Sequence, residues 1–201
     1  MVRYRRNIVP GGTFFFTVTL RDRRSSHLTN HISNLRNAFR VARRERPFAI
    51  DAIVILPEHL HAIWTLPDGD ADFSGRWRRI KGHFSRNVAA TEPSLKRKAD
   101  GEYRLWQSRF WEHIIRNDND FARHVDYIHF NPVRHGLVSR VADWAYSSFH
   151  AYVRESVLPA DWAGNVADDG SSSANRVKRA QDDSCSPHGA KRNAGRCIRD
   201  S

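Results

Sequence analysis

Cysteine is nearly absent. The two present, Cys185 and Cys197, both fall in a polar C-terminal stretch, so no disulfide framework can staple a core, and a reducing compartment is the natural setting. Long apolar runs are missing as well, the longest uninterrupted one, Ala52 to Leu56, reaching five residues against the roughly twenty of a membrane-spanning helix. The opening MVRYRRNIVPGG has the positive charge of a secretory signal without the apolar segment that must follow. A cytoplasmic protein with no membrane attachment is expected. Acidic residues are scarce, 22 against 33 basic, giving +11 and a pI near 10.4. Such a balance points to a phosphate-rich partner, nucleic acid first. After Gly164 there is no Leu, Phe, Tyr or Trp. That stretch cannot bury enough apolar surface to offset its ordering entropy, so a disordered tail over 165–201 is expected behind one domain over 1–164. The tail holds seven basic against five acidic residues, which leaves most of the positive excess on the domain.

What is present is enough for a packed core: 40% hydrophobic and 11% aromatic residues in 201. TFFFTVTL, Thr13 to Leu20, is β-branched and aromatic behind a Pro10-Gly11-Gly12 turn and reads as a strand. Leu28, Ile32, Leu35, Phe39 and Ala42 recur at helical steps, and Pro47 closes that helix. Phe48 to Leu56 and His59 to Leu66 read as two strands joined at Pro57-Glu58. Phe73, Trp77, Ile80, Phe84 and Val88 mark a second helix, and Leu105 to Ile115 a fourth strand. Asn117 to Asp120 supplies caps for a third helix with Phe121, Val125 and Ile128 buried, and Pro132 is expected to end it by disfavouring helix at Asn131. Strand, helix, strand, strand, helix, strand, helix predicts an α+β, ferredoxin-like (split βαβ) antiparallel sheet with helices on one face.

The candidate chemistry begins in IVILPEHLHAIWTL, Ile53 to Leu66. On a strand, His59 and His61 share a face while Leu60, Ala62 and Trp64 take the other, so two imidazoles can grip one metal ion. Tyr127 and Asn131, four apart on the third helix, lie about 5 to 6 Å apart at Cβ. Two readings of that pair stay open: an interfacial tyrosine and amide, or a nucleophile beside an Asn131 oxygen that joins His59 and His61 as a third metal ligand. Arg76, Arg78, Arg79 and Lys81 belong to a basic run on the second helix, read either as a solvated face or as a surface that tracks phosphates. His27 and His31, four apart with no carboxylate nearby in sequence, read as a surface pair. Glu58 is read as an exposed turn carboxylate or as a group orienting a histidine. His113 and His124 are read as core histidines or as groups supporting the site.

The stretches YRRNIVPGGTFFFTVTL, LPEHLHAIW and RFWEHIIRNDNDFARHVDYIHFNPVRHGLV resemble the REP-associated tyrosine transposases, a branch of the HUH single-strand transposases and nucleases. The resemblance runs from about Arg3 to about Trp162. It implies that His59 and His61 bind a divalent ion, with Asn131 as a further ligand and Tyr127 as nucleophile. It also implies that Arg5 and Arg6 help read a short sequence beside single-stranded DNA hairpins, the repetitive palindromic elements such proteins act on, in a bacterial, nucleoid-associated setting. A cation at His59, His61 and Asn131 would polarise the scissile phosphate, and attack by the phenol would leave a 5′-phosphotyrosine and a free 3′-hydroxyl. Imidazole ligands favour Mn2+ and cellular abundance favours Mg2+. Monomer and homodimer are both compatible with it. Two rivals stay open: a non-catalytic module that stacks single-stranded bases on its sheet, and a phosphohydrolase using activated water.

Overall fold

The computed structural model describes residues 9–92, 95, 101 and 103–162. Arg5, Arg6, the basic trio Lys96, Arg97 and Lys98, both cysteines and the expected tail over 165–201 lie outside the described residues. Four strands, β1 (Thr13–Thr19), β2 (Ala49–Ile55), β3 (His59–Thr65) and β4 (Trp111–Ile114), form one sheet in the order β2-β3-β1-β4. All neighbours are antiparallel, the strand order of a split βαβ fold. The helices are α1 (His27–Asn30), α2 (Ile32–Glu45), α3 (Phe73–Thr91), α4 (Asp118–Arg134) and α5 (Phe149–Arg154). None of the described helices is long and apolar enough to cross a membrane.

Alternation along the central strands divides two cores. Phe14, Phe16 and Val18 of β1 and Leu60, Ala62 and Trp64 of β3 point to α2 and α3, meeting Phe39, Phe73, Trp77, Ile80 and Phe84. Phe15, Ile63, Ala52 and Val54 point the other way, to Val125 and Ile128 of α4. The sheet is therefore covered on both faces, where helices on one face were expected. A strand with aromatic or branched residues at successive positions has no face to give to water, so a third helix must take the second side.

Three local expectations also change. The first helix breaks at His31, whose backbone (φ −112°, ψ 37°) separates α1 from α2. The fourth strand shrinks to Trp111–Ile114, because Leu105, Trp106 and Phe110 all turn into the α2/α3 core instead of alternating across the sheet. Pro132 lies inside α4, which runs on to Arg134. A proline there forfeits its own N–H bond and crowds the Ile128 carbonyl, a cost the buried face of α4 outweighs; the end is closed by His135 N–H to the Asn131 carbonyl at 3.0 Å and by Gly136 at φ +68°.

The basic helix α3 covers the α2 side of the sheet, and one of its four expected DNA contacts is corrected outright. Arg76 is 1% exposed, with its guanidinium on the Asp70 carboxylate at 2.7 and 3.0 Å and on the carbonyls of Pro47 and Asp72 at 2.8 and 3.0 Å. It holds the loop before α3 and offers nothing to phosphate. Asp70, held down to about 2 by the Arg76 hydrogen bonds, is its only carboxylate partner among the described residues. Asp70→Ala leaves a buried guanidinium without its counter-charge, and a loss of about 3 kcal/mol is expected, a fall of roughly 9 °C in Tm by calorimetry. Arg79 pairs with Glu45, and Lys81 donates to the Gln107 carbonyl at 3.1 Å above the Trp106 and Phe110 rings. Arg78 is exposed.

Candidate active site

His59 and His61 stand on β3 opposite Thr19 and Thr17 of β1, on the sheet face covered by α4. Their ring centroids are 4.9 Å apart and nearly perpendicular. Each Nδ1 is occupied: His59 donates to Glu58 Oε1 at 2.8 Å, and His61 bonds Thr17 Oγ1 at 2.9 Å. The carboxylate fixes the tautomer of His59, the Thr17 hydroxyl holds the ring angle of His61, and both leave Nε2 for an ion. Glu58 is thus the group that orients a histidine; its side chain is 15% exposed, and Arg23 lies 3.6 Å from the same oxygen. Burial lowers the pKa of His59 against the pull of Glu58, and burial with His59 close by takes His61 down to about 3. Both imidazoles are neutral at pH 7, the form a metal needs.

Helix α4 brings the rest. The Tyr127 ring lies 5.0 Å from that of His61, and the His135 ring 5.1 Å from that of His59. Asn131 sits four residues after Tyr127 and four before His135, hence between them on one stripe of the helix, facing the pair. Its Oδ1 and Nδ2 and the Nε2 of His61 are buried with no hydrogen-bond partner. Unsatisfied polar atoms in a dry interior cost on the order of 1–3 kcal/mol each. Unpartnered nitrogen and amide oxygen atoms are the donor types of a divalent ion held by two imidazole nitrogens and a carboxamide oxygen. The Arg134 guanidinium lies 5.7 Å from the Tyr127 ring centre.

Arg134 and His135 were not singled out from sequence. His135 continues the 127, 131 spacing by one more turn, but the expectation that Pro132 ended the helix hid it. His27 and His31, read as a surface pair, meet Glu92 at 2.7 and 2.6 Å, a carboxylate some sixty positions away. His113 and His124 both bond Asp120 and are separated from Tyr127 by the Phe15 ring, whose centroid is 4.7 Å from His124 and 5.9 Å from Tyr127.

Buried neutral histidines also set the acid stability. His129 is held down to about 4 by burial, and His61 to about 3. The unfolded chain protonates both near pH 6.5, so below that pH it binds protons that the folded chain refuses and stability falls. Asp126, raised to about 6 by burial, opposes part of this, since the folded state binds that proton first. For one net proton, a loss of about 1.4 kcal/mol per pH unit is expected between pH 6 and 4, read from urea midpoints of metal-free protein. His129→Leu should flatten the slope.

No family model matches the chain. It is 52% identical over 168 residues to the REP-associated tyrosine transposase of Escherichia coli (strain K12), covering 84% of this chain and 94% of that protein. It is 43% identical over 167 residues to a putative REP-associated tyrosine transposase of Haemophilus influenzae, covering 82% of this chain and 95% of the relative. A solved structure of a REP-associated tyrosine transposase bound to a REP hairpin superposes with a TM-score of 0.73 at 51% identity, over 85% of this chain and 96% of that one.

Proposed function

Since the chain belongs to the REP-associated tyrosine transposases, we propose that it cuts and rejoins single-stranded DNA folded into palindromic hairpins, with Tyr127 as the nucleophile. His59, His61 and Asn131 would hold a divalent ion, Mg2+ or Mn2+. The observation that carries this reading is the set of buried, unpartnered atoms, His61 Nε2 on β3 and both amide atoms of Asn131 on α4, the helix whose Tyr127 ring lies 5.0 Å from that of His61. When bound, such an ion draws charge from a non-bridging phosphate oxygen and stabilises the transition state of displacement.

The chain's own groups do the rest. Tyr127 Oη bonds to phosphorus and gives up its proton to solvent as the bond from phosphorus to the 3′ oxygen breaks, and the departing oxygen takes a proton from solvent to become a 3′-hydroxyl. The strand remains on the protein as a 5′-phosphotyrosine. A phosphodiester has been exchanged for a phosphodiester, so a 3′-hydroxyl can attack back and rejoin DNA without ATP. Glu58 and Thr17 keep His59 and His61 aimed, and Phe15 packs against the phenol ring. Arg134, exposed above that ring, can meet the scissile phosphate or steady the phenolate. Arg134→Ala is expected to slow cleavage about 10- to 100-fold, with partial recovery in Arg134→Lys, by single-turnover kinetics.

The reading is tested by end analysis of cleaved hairpin oligonucleotides drawn from repeats beside the chain's own gene, with Mg2+ and with Mn2+. A 3′-hydroxyl facing a protein-blocked 5′ end is expected. A free 5′-phosphate would assign attack to water, and intact DNA that remains bound would leave a binding module only.

A further inference from the structure

A second group of metal-binding side chains lies outside the catalytic constellation, where the edge of the sheet meets the start of α4. His113 on β4 stands opposite Phe15 in the register, so its ring projects on the α4 side. Asp120 and His124 occupy successive turns of α4, the spacing that puts two side chains on one face. One ligand atom from each of the three lies within 4.8 Å of the other two. His113 Nε2 is 3.0 Å from Asp120 Oδ2, and His124 Nδ1 is 3.2 Å from Asp120 Oδ1.

We propose that His113, Asp120 and His124 form a second metal site, selective for a borderline transition ion such as Zn2+, which clamps the edge strand to the first turns of the nucleophile helix. Two imidazoles and a carboxylate with water in the fourth position suit that class of ion better than Mg2+, which demands oxygen ligands. A tetrahedral ion with arms of about 2.0–2.1 Å spaces its ligand atoms about 3.3 Å apart. Each imidazole nitrogen already lies 3.0 to 3.2 Å from an Asp120 oxygen, and the three ligand atoms fall within 4.8 Å of one another, so an ion draws them together. The carboxylate is held from behind, since Arg116 N–H donates to Asp120 Oδ2 at 3.1 Å and Asn117 caps the Asp120 N–H at 2.9 Å. Apolar rings wall the site: Trp111 stacks on His113 at 5.9 Å and 4°, and Phe15 lies 4.7 Å from His124. The two imidazoles are 24% and 20% exposed, which leaves an entry path. Without an ion, His124 Nδ1 donates to the Asp120 carbonyl at 2.8 Å, a bond that the metal would replace. Tyr127 follows His124 by three residues, so an ion here fixes the helix turn just ahead of the phenol against the sheet.

The test uses the full chain carrying His59→Ala, His61→Ala, Cys185→Ser and Cys197→Ser, which silences the catalytic pair and the thiols, titrated with Zn2+ and with Co2+ by calorimetry and visible absorption. The parent so made is expected to take up one equivalent more than the same chain with His113→Ala and His124→Ala added, and that equivalent to carry the visible bands of four-coordinate Co2+ and a rise in Tm. X-ray absorption of the Zn2+-loaded parent should show two imidazole nitrogens among the ligands. Asp120→Asn serves where the double substitution fails to fold, and should lose the same equivalent. Equal uptake with and without His113 and His124, or a zinc shell lacking imidazole, would overturn the proposal. Uptake is read without DNA, so the result is independent of the cleavage chemistry.

Discussion

Tyr127→Phe is expected to abolish the covalent protein–DNA adduct and to lower hairpin cleavage at least about 10⁴-fold, with hairpin affinity within about twofold of the parent. The substitution removes one oxygen and nothing else. The ring keeps its edge contacts with His61 at 5.0 Å and Phe15 at 5.9 Å and stays under Arg134, so helix position and site shape are retained. An activated-water mechanism would lose far less, because the phenol would then only line the site. Binding by gel shift and adduct by denaturing gel, on one preparation, separate the two.

The second large effect concerns the ion. His61→Ala removes the proposed ligand whose Nε2 is unpartnered and whose ring lies 5.0 Å from that of Tyr127, and Asn131→Ala removes the amide midway in sequence between Tyr127 and His135. Each is expected to bring cleavage to the level seen with excess chelator, while Glu58→Gln, which leaves both imidazoles in place but weakens the hold on His59 Nδ1, should raise the metal concentration for half-maximal rate only about 10- to 100-fold. The ranking is the discriminating feature: a ligand substitution is not rescued by high Mn2+, whereas an orienting substitution is. Asn131→Ala should remain folded, because neither side-chain polar atom of Asn131 makes a hydrogen bond within the protein, whereas His61→Ala also gives up the bond from Nδ1 to Thr17 Oγ1 and is checked for folding by circular dichroism. Removing an unsatisfied buried amide should even raise the Tm of metal-free protein slightly.

Much of this geometry was legible in the sequence because it rests on periodicity. Period two in HLHAIWT sets His59 and His61 on one face, and period 3.6 sets Tyr127 and Asn131 on one stripe. What was not legible depends on contacts between distant segments. Three successive phenylalanines in β1 imply that both faces are covered, but which helix covers Phe15 depends on the path of the chain, and it is α4. Arg76 sits in a basic run that resembles a phosphate surface, and only its position in space shows a buried guanidinium closing a loop through Asp70. The same limit hid Glu92 from His27 and His31. The error at Pro132 was one of degree: proline disfavours helix in the residue before it, yet in a final turn the cost is small enough for packing to prevail. Arg134 and His135 therefore follow on the same helical path, one turn beyond Asn131.

The most direct measurement is mass spectrometry of the protease-digested adduct formed by the unaltered chain with a hairpin oligonucleotide and Mn2+. A nucleotide carried through its 5′-phosphate on the peptide holding Tyr127 is the expected result. A nucleotide on any other residue, or cleavage that proceeds with no nucleotide on the protein at all, would contradict the assignment of the phenol on α4 as the group that attacks DNA.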